Sequence, residues 1–566
     1  MQENFDFVIV GSGGGSMCAA LVMRAAGKSV LILEKTDLLG GTTAISGGVM
    51  WIPNNRFMAN EGISDSAEQA ITYLDTVVGD HDDTPGATRQ RRQAYVEQAT
   101  KMIDFLVDQG VELRRIPCWP DYCNAPGEST AGRTVVSELF DINQLGEWKS
   151  RLRPGFLPLP AYLEEAMQLP DMKRSWASKK VLARVIGRTI GSKLRGKHLT
   201  TAGQALQGQM LRAALQSGVE LRTDAGVTQL LFENDRVCGV VIERDSKEWH
   251  IGAHCGVLIN AGGFARNQAM LDQFIPGTST DWTRTAPGDT GEMIELARNK
   301  GAAIAQMDTR VGNPMALPPD GTPGEPTVVH GDLAKPHSIV VDQSGKRYMR
   351  EANSYVEICK AMLERNQQVP AIPSWLVLDS RFLETYPLAG NMRGRKKPQS
   401  WYEQQFLRSG DTLESLAAAC ALDAKQLAAT VERFNGLVRN GRDEDFQRGD
   451  HGYDQWLGDT LHHPSSTLGT IEEGPFYAIP IVPGDVSTYG GLVTDEHARV
   501  LRDDGSVISG LYATGTSTAS VMGRGCPGAG ASIGPSFTWG YVAALHAADA
   551  DTSASRTATN TQTLGS

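Results

Sequence analysis

Near the N-terminus a β-branched run, Phe7-Val8-Ile9-Val10, passes directly into Gly11-Ser12-Gly13-Gly14-Gly15-Ser16 and then into the helix-like Met17-Cys18-Ala19-Ala20-Leu21-Val22-Met23. A second apolar run, Val30-Leu31-Ile32-Leu33, ends at Glu34 and Lys35. Strand, glycine turn, helix and strand closed by a carboxylate is the order a dinucleotide site needs. Bare backbone N–H groups approach a pyrophosphate, a helix dipole stands behind them, and the acid takes ribose hydroxyls. Ser16 takes the third glycine place and is small enough to keep helix and strand close. A turn serving tight packing alone is the competing reading.

Directly after Glu34 comes Leu39-Gly40-Gly41-Thr42-Thr43-Ala44-Ile45-Ser46-Gly47-Gly48, a second loop rich in bare backbone. A nicotinamide site has no evident need of it, whereas the longer FAD, lying along the sheet, does. FAD is therefore the expected cofactor, with Gly11, Gly13, Gly15 and Glu34 at its adenosine and diphosphate part.

Composition narrows the rest. At 566 residues the chain exceeds one ordinary core and suggests about two to four domains. A net charge of −11 argues against a general nucleic-acid binder, which needs clustered positive charge. The first residues lack a basic leader, and no run of about 18 apolar residues occurs. Eight cysteines are scattered without CxxC spacing and the histidines form no HxxxH pair, so reduced thiols in a cytoplasmic protein and no metal site are expected.

From Thr200 to Arg266 a helical stretch, alternating strands and Asn260-Ala261-Gly262-Gly263 continue a nucleotide domain. The next two hundred residues carry many prolines and longer helical runs, and the glycine-rich style then returns. The expected architecture is α/β, a Rossmann-like FAD-binding domain (1–270 and 471–548) split by an inserted α+β substrate or cap domain (271–470). Residues 549–566 are small and polar and read as a disordered tail.

One segment opposes the overall charge. Between Asp171 and His198 nine lysines and arginines face one acid, with Leu182, Val185, Ile186, Ile190 and Leu194 near helical spacing. Either a solvated helix packs there on its own domain, or a basic amphipathic helix makes a peripheral contact with an anionic membrane.

Together the N-terminal loop, LGGTTAISGG, NAGGF, GKRYMREANSY, VSTYGGLVTD and LYATGTSTASVMG through SIGPSFTWGY resemble the flavoprotein family of fumarate reductases and 3-ketosteroid dehydrogenases. The resemblance extends the implied cofactor set to Ser12, Gly14, Ser16, Lys35, Gly40, Gly41, Thr42, Thr43, Ser46, Gly47, Gly48, Val227, Ala261, Gly262 and Gly515. It adds Ala531, Ser532 and Ile533 as a helix N-terminus for the flavin ring. A fumarate reductase clamps a dicarboxylate with arginine and histidine. This chain instead has Tyr355 after its GKRY motif and Tyr489 before Gly490-Gly491, which suits a bulky neutral ketone.

The 3-ketosteroid Δ1-dehydrogenase branch implies roles for two tyrosines. Tyr355 removes a proton beside the carbonyl, as a tyrosinate whose pKa has fallen from about 10, and Tyr122 supports it. In that branch a tyrosine hydroxyl and a glycine N–H hold the ketone oxygen. Gly530 keeps the glycine here, but Cys526 stands in the tyrosine's place, and a thiol is a poor donor.

Three readings follow from that departure: Tyr489 reaches the oxygen from another direction, the substrate differs, or the chain is a weakly active relative. Cys526 as a nucleophile is set aside, since flavin desaturation needs no covalent step. The expected activity is α,β-desaturation of a cyclic ketone, foremost a 3-ketosteroid at C1–C2, with electrons leaving to a quinone-like acceptor. Desaturation at Δ4, enone reduction, a smaller ketone, and a flavin-bearing binding protein with a degraded site are the alternatives.

Overall fold

The computed structural model describes residues 2–79, 84–244, 247–317, 326–394 and 396–563, with side chains as far as 550. The strand Gln2–Val10 buries its last four residues completely or nearly so. It pairs in parallel with Lys247–Ile259 on one side and Val30–Leu33 on the other. Parallel pairing needs a crossover, and the helix Gly14–Ala25 supplies it. Outward from that centre the eight-stranded sheet continues to Glu220–Arg222 at one edge, and through Arg236–Arg244 and Val507–Ala513 to Arg499–Leu501 at the other. Apolar side chains fill both faces of the sheet.

A second, antiparallel sheet holds Thr327–Val328, Arg310–Ala316, Phe476–Thr488, Ser374–Leu378 and Ser338–Val341 in that order, with Arg408–Gly410 also on Phe476–Thr488. Helices Leu413–Cys420 and Ala424–Arg439 cover one of its faces. The strand Phe476–Thr488 lies past the expected boundary at 470, yet it pairs wholly within this second sheet. The chain rejoins the first sheet at Arg499–Leu501.

The last helix, Ile533–Thr563, lies across Gly14–Ala25. Close approach is what glycine allows there: a Cβ on Gly14 would fall 1.9 Å from Phe537, and one on Gly15 would fall 2.3 Å from the Ser536 carbonyl oxygen. Helical backbone continues into the segment expected as a disordered tail; the side chains beyond 550 and residues 564–566 lie outside the described residues. Among the described residues, no helix is long and apolar enough to cross a membrane.

Candidate active site

Tyr355 is the first residue of the helix Tyr355–Asn366. The turn before it is tied by Asn353, whose Oδ1 accepts from the Ser354 N–H at 2.8 Å and from Arg350 at 2.7 Å. Tyr122 arrives on a loop from the other sheet's side. Its N–H donates to the Pro527 carbonyl at 3.0 Å, and the Tyr73 hydroxyl donates to the same oxygen at 2.7 Å. The rings of Tyr122 and Tyr355 then meet edge to face, 5.5 Å between centroids.

Beneath Tyr122 lies a buried ion network. Arg133 donates to Asp121 at 2.6 Å and to Asp65 at 2.7 Å, and Asp121 also accepts from the Trp51 indole at 2.8 Å and the Ser129 N–H at 3.0 Å. All three ionic side chains are buried, which fixes the loop one residue before the catalytic candidate.

The opening glycine turn of the last helix completes the cluster. Gly530 sits at φ +97°, and a Cβ there would fall 2.5 Å from the backbone of Met50 and Trp51. Its carbonyl accepts from the Trp51 and Gly534 N–H groups at 3.2 and 2.9 Å, whereas its own N–H has no hydrogen-bond acceptor among the described residues. A backbone donor is thus held rigidly and left open.

Cys526 is buried at the centre of the tyrosines. Its thiol donates to the Tyr355 hydroxyl at 3.6 Å and lies against Tyr489. Tyr489 enters from the end of the strand Phe476–Thr488, and its buried hydroxyl, beside the Cys526 thiol, has no partner of good geometry among the described residues. Of the five residues expected at the site, the fold brings Tyr122, Tyr355, Tyr489 and Cys526 together, and Gly530 lies four residues beyond Cys526 on the same turn.

Burial sets the acid–base state. It pushes Tyr355 well above the usual phenol value, with Cys526, Tyr122 and Tyr489 adding to the effect. The expectation of a lowered pKa at Tyr355 is therefore reversed in the ligand-free protein, because burial penalises the phenolate. Burial also raises the Cys526 thiol to about 12, so it is protonated and no nucleophile.

Two further residues of the cluster were not anticipated. Tyr453, on the short helix Gly452–Leu457, packs 4.2 Å from Tyr122 between ring centroids. His330 stands edge to face with Tyr355 at 5.4 Å, neutral because burial pulls it down to about 4. Trp119 and Trp456 stack at 4.9 Å beside Tyr453 and extend an aromatic wall. No local pattern marks Tyr453 or His330, since only the inserted sheet carries them to this place.

The cofactor set falls along a groove at the end of the first sheet. The Glu34 carboxylate accepts from the N–H and hydroxyl of Ser12 and from those of Thr36. Ser12 in turn accepts from the Gly40 N–H at 2.9 Å, which ties the second loop to the first. Lys35 bridges to Thr290 at 2.7 Å and to Glu292, at a cleft of about 1310 Å³ that Val227 and Arg222 also line.

The predicted cradle divides by role. Gly14 and Gly15 meet the last helix, Gly11 (φ +94°) meets the Asn260 carbonyl, and Gly515 (φ +65°) meets the Asn260 side chain. The Ser16 hydroxyl accepts from Asn260 at 2.8 Å. Gly41 and Gly47 are open positions, where the nearest atoms to an added Cβ lie 3.9 and 3.7 Å away, and at Gly13 only the Asn260 side chain comes close, at 3.3 Å. Thr42 accepts from the Ala286 N–H, Ser46 bonds back to Thr43 and receives the Gly48 N–H, and Gly47 touches only side chains. Ala261 and Gly262 are both held by the Ser517 hydroxyl. Ala531, Ser532 and Ile533 form the entry to the last helix beside Gly530.

Whether FAD fits is tested by the groove's unsatisfied groups. Asp289 is buried against Gly262, with the Gly263 N–H near its carboxylate but, among the described residues, no partner of good geometry for either oxygen, and burial raises it to about 7. Gln207 is buried beneath Gly40 with both amide atoms unpaired. Such groups are costly to bury unless a ligand satisfies them, and a hydroxyl-rich, phosphate-bearing cofactor does so. Asp289 escaped sequence reasoning, although Gly288-Asp289-Thr290-Gly291 is a legible signal; Gln207, mid-helix, has none.

Residues 6–533 match the family described as FAD binding domain. The chain is 37% identical over 565 residues to the 3-oxosteroid 1-dehydrogenase of Mycobacterium tuberculosis, covering 97% of this chain and 99% of that one. To the 4-oxocyclohexanecarboxylate 2-dehydrogenase of Sinomonas cyclohexanicum it is 33% identical, covering 96% and 92% respectively. The crystal structure of 3-ketosteroid delta1-dehydrogenase from Sterolibacterium denitrificans, in complex with 1,4-androstadiene-3,17-dione, has a TM-score of 0.91 to this fold at 34% identity, over 97% of this chain and all of that one. With an FAD-fitting groove beside a tyrosine cluster, the chain belongs to the FAD-binding flavoprotein family, in its branch of 3-oxosteroid 1-dehydrogenases and related cyclic-ketone dehydrogenases, and is an FAD-dependent oxidoreductase.

Proposed function

We propose that the protein desaturates a 3-ketosteroid at its C1–C2 bond. The carrying observation is the packing of Tyr122 against Tyr355, with Tyr453, Trp119 and Trp456 extending the aromatic cluster, beside the turn that carries Cys526 and, four residues on, the open N–H of Gly530. In this reading the Gly530 N–H donates to the ketone oxygen, which makes the neighbouring proton acidic. Tyr355 then takes that proton from C2, with Tyr122 supporting the phenol. Bound FAD supplies the acceptor for the hydride that leaves C1. Gly13, Gly41, Glu34, Gln207 and Asp289 would hold the cofactor, and a quinone-like acceptor would take the electrons onward.

Anaerobic titration of the holoenzyme with 3-ketosteroids and simple cyclohexanones tests this. Loss of oxidised-flavin absorbance with 3-ketosteroids, and formation of the 1,2-dehydro product, is expected. Bleaching by cyclohexanones alone moves the substrate to a smaller ketone, and no bleaching by either leaves a flavin-bearing binding protein.

A second reading concerns where the enzyme sits. The helix Trp176–Leu194 buries Val181 and Val185 but exposes Trp176, Ile186, Ile190 and Leu194, the last 83% accessible. Seven of the eleven exposed large apolar side chains among the described residues fall between 156 and 194, amid the nine basic residues. That combination favours a peripheral contact with anionic lipid over a merely solvated helix. Co-sedimentation with anionic but not zwitterionic vesicles is expected, and loss of binding in Ile190→Glu/Leu194→Glu; equal recovery of parent and variant would end this reading.

A further inference from the structure

We propose that Tyr489 is the second donor to the ketone oxygen, working with the Gly530 N–H in place of the tyrosine that Cys526 replaces. This rests on the ketone-desaturase reading above. Among the described residues, Tyr489 is the one tyrosine whose buried hydroxyl finds no hydrogen-bond partner. It lies against the Cys526 thiol, while that thiol is directed to the Tyr355 hydroxyl at 3.6 Å and the Gly528 carbonyl at 3.9 Å.

Backbone contacts hold Tyr489 in place. The Tyr489 N–H donates to Thr309 at 3.0 Å, its carbonyl accepts from Ser520 at 3.1 Å, and a Cβ on Gly490 would fall 2.4 Å from Met307. A buried hydroxyl without a protein partner is an energetic liability. It is relieved when an acceptor enters, and relieved most when that acceptor becomes the enolate oxygen.

The two phenols on either side of Cys526 are distinguished by what reaches them. The thiol's one hydrogen bond of ordinary geometry to a phenol goes to the Tyr355 hydroxyl. The Tyr489 hydroxyl is left without a partner of such geometry among the described residues, and its proton is available for donation. Cys526 has therefore surrendered the carbonyl to Tyr489 and serves Tyr355 instead.

The experiment compares the parent holoenzyme with Tyr489→Phe in two readouts. One is anaerobic flavin reduction by a 3-ketosteroid, expected to slow on the order of 100-fold with flavin still bound. The other is the ultraviolet band of a bound enone product, which shifts to the red when a donor engages its carbonyl; most of that shift should be lost in the variant. The spectroscopic readout separates lost donation from a merely perturbed site, and Tyr489→Met, which fills much of the space and carries no hydrogen-bond donor, should behave as Tyr489→Phe does. An active parent with variants within about threefold of it, or with the red shift intact, overturns the inference alone. A parent that no ketone reduces overturns the desaturase reading and this inference with it.

Discussion

The Cys526 sulfur lies 3.6 Å from the Tyr355 hydroxyl oxygen, in the interior of the site, with the thiol as donor. A residue that looks like a lost carbonyl clamp is thereby a neighbour of the proposed base, Tyr355. Cys526→Ala removes one weak hydrogen bond, about 1 kcal/mol, and should slow flavin reduction about fivefold. Cys526→Ser, which keeps a donor, should stay near the parent rate. The thiol's burial and pKa of about 12 also predict that iodoacetamide at neutral pH labels the exposed Cys118 while Cys526 stays unmodified. Stoichiometric labelling of Cys526 in active protein would show the thiol to be accessible and reactive after all.

Tyr355 should govern the pH profile. Its pKa is raised by burial, so below that value the phenolate fraction grows tenfold with each pH unit. We expect kcat/KM to climb steadily from neutral into alkaline pH, and Tyr355→Phe to lose about 1,000-fold in turnover while retaining flavin. A flat profile, or near-normal turnover in Tyr355→Phe, would remove this phenol from proton transfer.

Asp289 should make cofactor affinity depend on pH. Without a ligand, burial lifts its carboxyl to about 7, so at lower pH the group is protonated; hydroxyl donors from FAD would favour the ionised form and lower that value. Affinity should therefore rise as pH increases through about 7, and the dependence should vanish in Asp289→Asn. Flavin fluorescence quenching on titration of the apoprotein measures both. An identical pH dependence in parent and variant would place the titrating group elsewhere.

Removing the cation under Tyr122 should be felt in both stability and rate. Arg133→Met leaves Asp65 and Asp121 buried without their shared partner, a loss of about 3–5 kcal/mol. The holoenzyme's thermal midpoint should fall by several degrees, and turnover should drop because the loop before Tyr122 loosens. Adding Asp121→Asn should recover part of the stability, since an amide still accepts from the Trp51 indole. An unchanged midpoint in Arg133→Met would mean that water reaches the two carboxylates.

By itself the sequence determined what short-range chemistry writes. The β-branched run into Gly11-Ser12-Gly13, the alternation across 227–259 and the helical spacing at 413–439 became the elements they suggested, because neighbours along the chain decide turns and periodicity. The motif residues Tyr122, Tyr355, Tyr489, Cys526 and Gly530 were legible for the same reason. Tertiary structure alone decided how they are used. It assigned Gly14 and Gly15 to helix packing, carried Tyr453 to Tyr122 and His330 to Tyr355, and placed Phe476–Thr488 in the second sheet. It also reversed the expected acidity of Tyr355 and left the buried Tyr489 hydroxyl without a well-formed partner among the described residues. Burial and long-range contact set pKa and hydrogen-bond satisfaction, and neither is written in the spacing of residues along a chain.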